Sequence, residues 1–256
     1  MSNFKDHVYI ITGGSQGFGF AIAQELVREG AKVGLIARSG DRLNEAVVTL
    51  GEDKAYAVVA DIANGAQVKQ AFAEIHQHFG RLDGLVNNAG VARPGTIEEI
   101  PEHEMRLQFD VNVIGLVLCC QAAIPLLRDS PNPRIVNIGS ASARYREEIR
   151  HLGIYAATKI AVERLTAEMR DEIKADGIGV TLVVPGAAMT EFAAGWNEQR
   201  LRKAVGAWQE QGPNMDSGME PHHVAEAVVH CLGYKPGVAI DELIVRPNSP
   251  TPKFQF

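Results

Sequence analysis

The sequence predicts a doubly wound α/β fold, a parallel sheet covered by helices on both faces. Three observations carry that expectation. Short β-branched runs alternate with longer amphipathic stretches six or seven times along 256 residues. Strands joined by crossover helices must lie parallel and be covered on both sides. A glycine-rich loop, Thr12-Gly13-Gly14-Ser15-Gln16-Gly17-Phe18-Gly19, follows the first run directly. No Pro/Gly/Ser-rich linker, repeat or low-complexity tract divides the chain, so one three-layer αβα domain, Rossmann-like in plan, is expected over residues 1–256.

The elements follow in order. His7–Thr12 is apolar and runs into glycines, so it reads as a buried strand. Phe18–Glu29 has apolar residues at helical spacing and stops at Gly30. Lys32–Ala37 is a second strand. Asp41–Leu50 is a helix with Asp41 as its expected N-cap. Ala55–Ala60, then Gln67–Phe79, then Leu82–Asn87 continue the strand-helix-strand rhythm. Glu102–Leu127 is one long helix or a broken pair. Arg134–Gly139, Tyr155–Ala175, Val180–Val184, Pro221–Leu232 and Ala239–Val245 complete the set. Gly186–Met219 breaks the rhythm. Its polar, partly helical character makes about 187–219 the candidate for a mobile lid over a substrate, since loops at strand ends carry function.

Composition excludes several classes. Twenty-five Lys and Arg against 31 Asp and Glu give a net charge of −6. With a pI near 5.8 and no basic stripe, nucleic-acid binding is disfavoured. Cys119, Cys120 and Cys231 are too few and too oddly spaced for a disulfide framework or a Cys-rich zinc site, and fit a reducing cytoplasm. The first residues show no cleavable signal pattern. The longest apolar stretch, Val111–Leu127, carries Asn112, Gln121 and Pro125 and reads as a buried helix rather than a membrane span.

The glycine loop is the first chemical signal. Gly13, Gly14, Gly17 and Gly19, with Ser15, Gln16 and Phe18, would let backbone N–H groups approach a pyrophosphate at a helix N-terminus. In isolation the same loop is a tight turn; its place in the first βαβ unit favours a dinucleotide. The second strand then ends Ile36-Ala37-Arg38-Ser39, with no carboxylate to take a ribose 2′-hydroxyl. A guanidinium suits a 2′-phosphate, so NADP(H) is favoured over NAD(H), the alternative being a surface arginine. Asp61-Ile62 follows the third strand. Asp61 could accept from an adenine amino group with Ile62 against the ring, or cap the helix at Gln67, or simply turn the chain.

With these pieces placed, the chain resembles the short-chain dehydrogenase/reductase family in its single-domain branch, over nearly its whole length. Thr12–Gly19 is similar to that family's TGxxxGxG. Asn87-Asn88-Ala89-Gly90 is similar to its NNAG, and Asn112 falls in the long helix where the family keeps an asparagine. Ile135–Ser140 is similar to the strand that ends in the active-site serine. Tyr155-Ala156-Ala157-Thr158-Lys159 is its YxxxK, and Pro185-Gly186 with Thr190 resembles the turn that touches nicotinamide. Gly139-Ser140 stands where the family usually has two serines. The segment from Ser140 to Tyr155 is about two residues longer than usual, which leaves Ser142 as a second candidate. Gln16 stands where many NADP-dependent relatives carry a basic residue.

The resemblance implies roles. Tyr155 and Lys159 lie four apart, hence on one helix face. The ammonium is expected to lower the phenol's pKa, and Tyr155 to exchange a proton with a carbonyl oxygen as hydride moves. The bland alternative is an amphipathic surface pair. Lys159 would also bind the nicotinamide ribose. Ser140 would hold the substrate oxygen, and Asn112 a water leading from Lys159 to solvent, with a bend in its helix because the amide competes with the backbone. Asn87, Ala89 and Gly90 would border the adenosine and ribose. Pro185, Gly186, Ala188 and Thr190 would border the nicotinamide. The expected reaction is NADP(H)-dependent interconversion of a carbonyl and a secondary alcohol, without a metal. The rivals are an NAD-dependent dehydrogenase working oxidatively and a non-catalytic dinucleotide sensor. The family also implies a homotetramer, or a dimer, through Glu102–Leu127 and Tyr155–Ala175, whose Val117, Leu118, Ile160 and Leu165 permit it.

Weaker features remain. His222-His223 reads as a helix start after Pro221 rather than a metal pair, and His76 and His78 as solvated. Phe192, Trp196 and Trp208 line a substrate pocket or pack the lid. Arg144, Arg146 and Arg150, with Glu147 and Glu148, make a charged loop that could read a polar substrate or simply face water.

Overall fold

The computed structural model describes residues 4–145, 150–188, 193, 195–211 and 219–248. Seven strands form one parallel sheet in the order β3-β2-β1-β4-β5-β6-β7. They are β1 (Val8–Thr12), β2 (Lys32–Ala37), β3 (Ala55–Val59), β4 (Gly84–Asn87), β5 (Arg134–Ile138), β6 (Gly179–Pro185) and β7 (Glu242–Val245). Ile10 of β1 pairs with Gly34 on one side and Leu85 on the other. The order reverses direction at β1, between β2 and β4, and that reversal opens a crevice at the carboxyl ends of the strands.

Period-2 alternation sorts the strand side chains into two cores. Ile10, Ile36, Leu85, Ile135 and Leu182 face α3 (Gly65–Phe79), α5 (Leu116–Leu127) and α6 (Gly153–Glu172). Tyr9, Ile11, Leu35, Val86, Val136 and Val183 face α1 (Gly17–Arg28), α2 (Gly40–Leu50) and α8 (Pro221–Leu232). Helix and sheet approach closely where a side chain is missing. A Cβ on Gly34 would fall 2.5 Å from Ile75 of α3.

Element boundaries differ from expectation by a few residues, and four differences have physical causes. Asp41 is not the N-cap of α2; Ser39 holds that position, and Asp41 lies in the first turn, where a carboxylate suits the helix dipole. The helix after β3 is capped by Asn64, whose Oδ1 accepts from the Ala66 and Gln67 N–H groups. The last strand shortens to four residues at the sheet edge. Glu102–Leu127 is one continuous run, α4 (Glu102–Phe109), a π-helical segment Asp110–Gly115, then α5. That run has the length and mean hydropathy (1.8) of a membrane span, with 44% of its most apolar window buried in the fold. Leu116, Cys119, Ala123 and Leu127 pack it against the sheet.

The segment after β6 is tied at its base by a parallel bridge between Ala188 and Met219, with the Met219 N–H donating to Ala187 O at 3.0 Å. Between them runs α7 (Glu198–Gln211). Arg200 binds both oxygens of Glu104, and Lys203 binds Glu99. The indole of Trp208 donates to the Arg150 carbonyl at 2.7 Å. Three anchors therefore hold α7 to the edge of the crevice.

Candidate active site

The glycine turn takes its shape from two residues that need left-handed backbone. Gly13 (φ +66°) and Gly17 (φ +54°) sit where a side chain would be strained. A Cβ on Gly19 would fall 2.2 Å from the Gly13 carbonyl, so that approach exists only for glycine. Gln16 is the N-cap of α1 and makes no side-chain cap, and the first turn has no acidic residue. The N–H groups at this helix start face the crevice mouth with a partial positive charge. The Gly13 N–H donates to Ile36 O at 2.7 Å, which sets the turn beside the end of β2. Arg38 lies exposed at that end and forms no ion pair among the described residues.

Asn88, not Asn87, holds the turn. Its Nδ2 donates to Thr12 O (2.9 Å) and Gly13 O (3.3 Å), while the Asn88 and Ala89 N–H groups both donate to Thr12 Oγ1 at 3.0 Å. Asn87 points the other way, buried, donating to Asn137 Oδ1 at 2.9 Å and facing Cys120. Strand alternation required one asparagine in and one out, so the signal for Asn88 was present in the motif. Asp61 turns the chain: its Oδ1 accepts from the Ala63 N–H at 3.0 Å, and Asn64 takes the cap. Ile62 does not stand open for a ring; it is buried, with its Cγ1 2.9 Å from where a Gly115 Cβ would lie.

Asn112 sits in the π-helical segment, at the place where a bend was expected. Its Oδ1 accepts from the Val91 N–H (2.8 Å), and its Nδ2 donates to Val91 O (2.8 Å) and Thr158 Oγ1 (2.9 Å). The widened turn lets the amide leave its own helix and bind a neighbouring segment, a common use of π-bulges at working sites. A point one Cβ out from Gly90 is 3.3 Å from Asn112 Oδ1 and 3.6 Å from Lys159 Nζ. Gly90 therefore floors a spot bordered by the amide and the amine.

Lys159 Nζ donates to Ile138 O at 2.7 Å and stands 5.9 Å from the Tyr155 ring centre. Ser140, at the end of β5, hydrogen-bonds to Tyr155 and shares a 2.8 Å hydroxyl contact with Ser142. Ser140 is the serine that reaches the phenol; Ser142 lies behind it, buried, on the short 3₁₀ turn Ala141–Ala143. Tyr155 and Lys159 are both buried, so this is no surface pair.

Burial brings the Lys159 ammonium down to about 8. Burial likewise pushes the Tyr155 phenol up to about 12, while the bond to Ser140 pulls the other way. The lowering expected from Lys159 is not found; the one group among the described residues that pulls the phenol down is Ser140. The amine is committed to a backbone carbonyl, and both groups share a dry site that favours their neutral forms.

At the end of β6, the Gly186 N–H donates to Val245 O at 2.8 Å, and Pro185 pairs with Val245. Thr190, Phe192, Arg146, Glu147 and Glu148 lie outside the described residues. Trp208 packs with Tyr155, Ala92, Leu152 and Ala204, and Trp196 stands edge-on to it at 6.1 Å. The two indoles therefore pack the insert against the tyrosine. Arg144 is drawn out of solvent by Glu163 and Glu242. His223 Nδ1 accepts from the Glu220 N–H at 3.1 Å as part of the α8 cap. No cluster of three or more His, Cys, Asp and Glu suited to a metal occurs among the described residues.

Known proteins share this fold. The family model described as short chain dehydrogenase matches residues 7–201. An uncharacterized oxidoreductase of Staphylococcus aureus strain N315 is 31% identical over 247 residues, covering 96% of this chain and all of that one. Among solved structures, an alcohol dehydrogenase from Thermococcus sibiricus complexed with 5-hydroxy-NADP superposes with a TM-score of 0.81 at 26% identity, over 97% of this chain and 99% of that one. A serine dehydrogenase complexed with NADP+ gives 0.82 at 28%, over 94% of each chain. A 3-ketoacyl-(acyl-carrier-protein) reductase from Brucella melitensis complexed with NADH gives 0.81 at 28%, over 95% of this chain and 98% of that one. The chain belongs to the short chain dehydrogenase family. It is an NAD(P)-dependent oxidoreductase acting on CH–OH or C=O groups.

Proposed function

We propose, from that membership, that the chain interconverts a carbonyl and a secondary alcohol with NADP(H), Tyr155 being the acid–base group. The observation that carries this reading is the convergence of Ser140, Tyr155 and Lys159 in one dry site at the strand ends. The crevice suits a dinucleotide. The Gly13–Gly19 approach leaves no room for a Cβ, and the uncapped start of α1 offers N–H groups to a pyrophosphate. Gly13, Gly14, Ser15, Gln16, Gly17, Phe18 and Gly19 would hold the phosphates, and Arg38 a 2′-phosphate. Asp61, Ala89, Gly90 and the backbone of Asn87 would border the adenosine side. Lys159, Pro185, Gly186, Ala188 and Thr190 would border the nicotinamide side. The bound nicotinamide would supply or accept the hydride.

The chain's own residues do the rest. Ser140, already bonded to Tyr155, orients the substrate oxygen toward the phenol. A phenol held near 12 is protonated at neutral pH, the form that donates to a carbonyl oxygen in reduction. Lys159 places a charge beside the ring and would bind ribose hydroxyls. Asn112 retains one Oδ1 lone pair facing the Gly90 spot, where a water would connect to Lys159 Nζ.

The segment at 187–219 serves as the lid, its ends joined by the Ala188–Met219 bridge. Exposed Phe109, Ile114 and Ile160 on the long helix and α6 support a homo-oligomer built through those helices. Three free, buried cysteines suit a cytoplasmic location. The test is a screen of carbonyls and alcohols followed by nicotinamide absorbance with NADPH and with NADH, alongside binding of each. Carbonyl-dependent oxidation of NADPH is expected. Tighter binding of NADH would overturn the cofactor preference.

A further inference from the structure

Arg93 follows the Asn88–Gly90 segment and lies where the crevice wall meets the insert. Its backbone is fixed by the scaffold that fixes Asn112. The Asn112 amide clamps Val91 on both sides, and the Arg93 N–H donates to Gln108 Oε1 at 3.1 Å. Gln108 is fully buried and anchored by its Nε2 to the Glu104 carbonyl. The neighbouring Ala92 packs in the same small cluster as Tyr155. A Cβ on Gly195 of the insert would lie 3.5 Å from Arg93 Nη2, so the guanidinium is roofed by the insert.

Local charge does not balance here. Glu104, with a side chain 12% exposed, gives both carboxylate oxygens to Arg200. Arg93 and His103 also act on Glu104, which leaves two guanidinium groups around one carboxylate. Arg93 itself donates to Ala92 O at 2.7 Å through Nη1 and forms no ion pair among the described residues. A guanidinium carries five donors in a fixed fork suited to a carboxylate. A part-buried cation that shares its one nearby carboxylate among the described residues with a second guanidinium gains from an anion that a ligand supplies. In a chain of net charge −6, this local excess of one positive charge among the described residues runs against the whole.

We propose that Arg93 is a specificity-determining residue that binds a carboxylate carried by the carbonyl or alcohol substrate. The proposal rests on the reading that Tyr155 reduces a carbonyl in this site, and it names the class of substrate. A single surplus charge matches one carboxylate, and the rigid 91–93 segment holds the fork in place before the substrate arrives.

The test compares 2-, 3- and 4-oxo carboxylates with their methyl esters, in wild type and in Arg93→Gln. Glutamine keeps an N–H for the Ala92 carbonyl and removes the charge. Wild type is expected to favour at least one acid over its ester by about tenfold or more in kcat/KM. Arg93→Gln is expected to erase that preference mainly through KM, with ester rates held within about twofold. Equal use of acids and esters by wild type would overturn the proposal. So would a variant that slows acids and esters alike, the signature of a mere brace on Ala92. If no acid and no ester is reduced with either cofactor, carbonyl reduction itself falls, and this inference with it.

Discussion

The two ends of the sheet both bury charge, and they treat it in opposite ways. At the amino ends of the strands, Asp83 is almost wholly buried. Its carboxylate takes a bidentate pair from Arg81, the Val8 N–H at 2.9 Å and the Ser130 hydroxyl at 2.7 Å. Burial pushes the Asp83 carboxyl up, yet those partners together hold it below the usual carboxylate range. At the carboxyl ends, Lys159 donates to the Ile138 carbonyl beside the Tyr155 ring, Tyr155 hydrogen-bonds to Ser140, and burial wins in both. A charge whose partners are complete is structural. A group whose proton affinity is ruled by burial instead is open to retuning by a ligand, which is why strongly perturbed groups gather at working sites.

The contrast can be broken most sharply at Tyr155. Tyr155→Phe keeps the ring and its packing but removes the proton, so turnover should fall by about 10²–10⁴-fold. Dinucleotide affinity, read by fluorescence titration, should barely change. Unaltered turnover would end the acid–base assignment.

Lys159→Met should also cost at least about tenfold in turnover, yet not in stability. The folded value near 8 lies below the ordinary 10.5, so the unfolded chain holds more protons between those values. Wild-type stability should then rise with pH through that window, and below pH 8 the charged amine is a standing penalty. The methionine variant should lack the rise and match or exceed wild-type Tm at pH 7, the freed Ile138 carbonyl offsetting part of the gain. Denaturant melts from pH 7 to 10.5 check both points; a large loss of stability at pH 7 would make Lys159 a structural group.

At the opposite end, Asp83→Asn should cost about 2–3 kcal/mol of stability while leaving turnover per folded molecule intact. The sign with pH is reversed. A depressed carboxyl contributes stability above its ordinary value of 3.8 that is lost as pH falls through the folded value. Acid titration of unfolding should therefore be flatter in the variant.

The smallest effect is at an exposed group. Arg38→Ala should weaken NADPH binding by about tenfold and leave NADH unchanged. Equal weakening of both would remove the 2′-phosphate role.

Much of this was legible from the chain. The strand-helix alternation placed all seven strands within a few residues, because the central strands, buried on both faces, read as short apolar runs set between amphipathic helices. The glycine turn was legible because glycine takes φ +66° without strain and only glycine fits the close pass at Gly19. Tyr155 and Lys159 were legible as neighbours because helical spacing is local. Long-range partners were not. The Lys159 bond to Ile138, the Asn112 clamp on Val91 and the grip of Arg200 on Glu104 join residues far apart in the chain. Local periodicity carries no record of such pairings.

The sequence by itself therefore determined the sheet, its crevice and the residue types that line it, since each follows from burial periodicity or from a close backbone approach that leaves room for glycine alone. The tertiary structure alone decided how those groups are charged. Proton affinity depends on which dipoles, carboxylates and apolar walls surround a side chain, and that company is assembled only when distant segments pack.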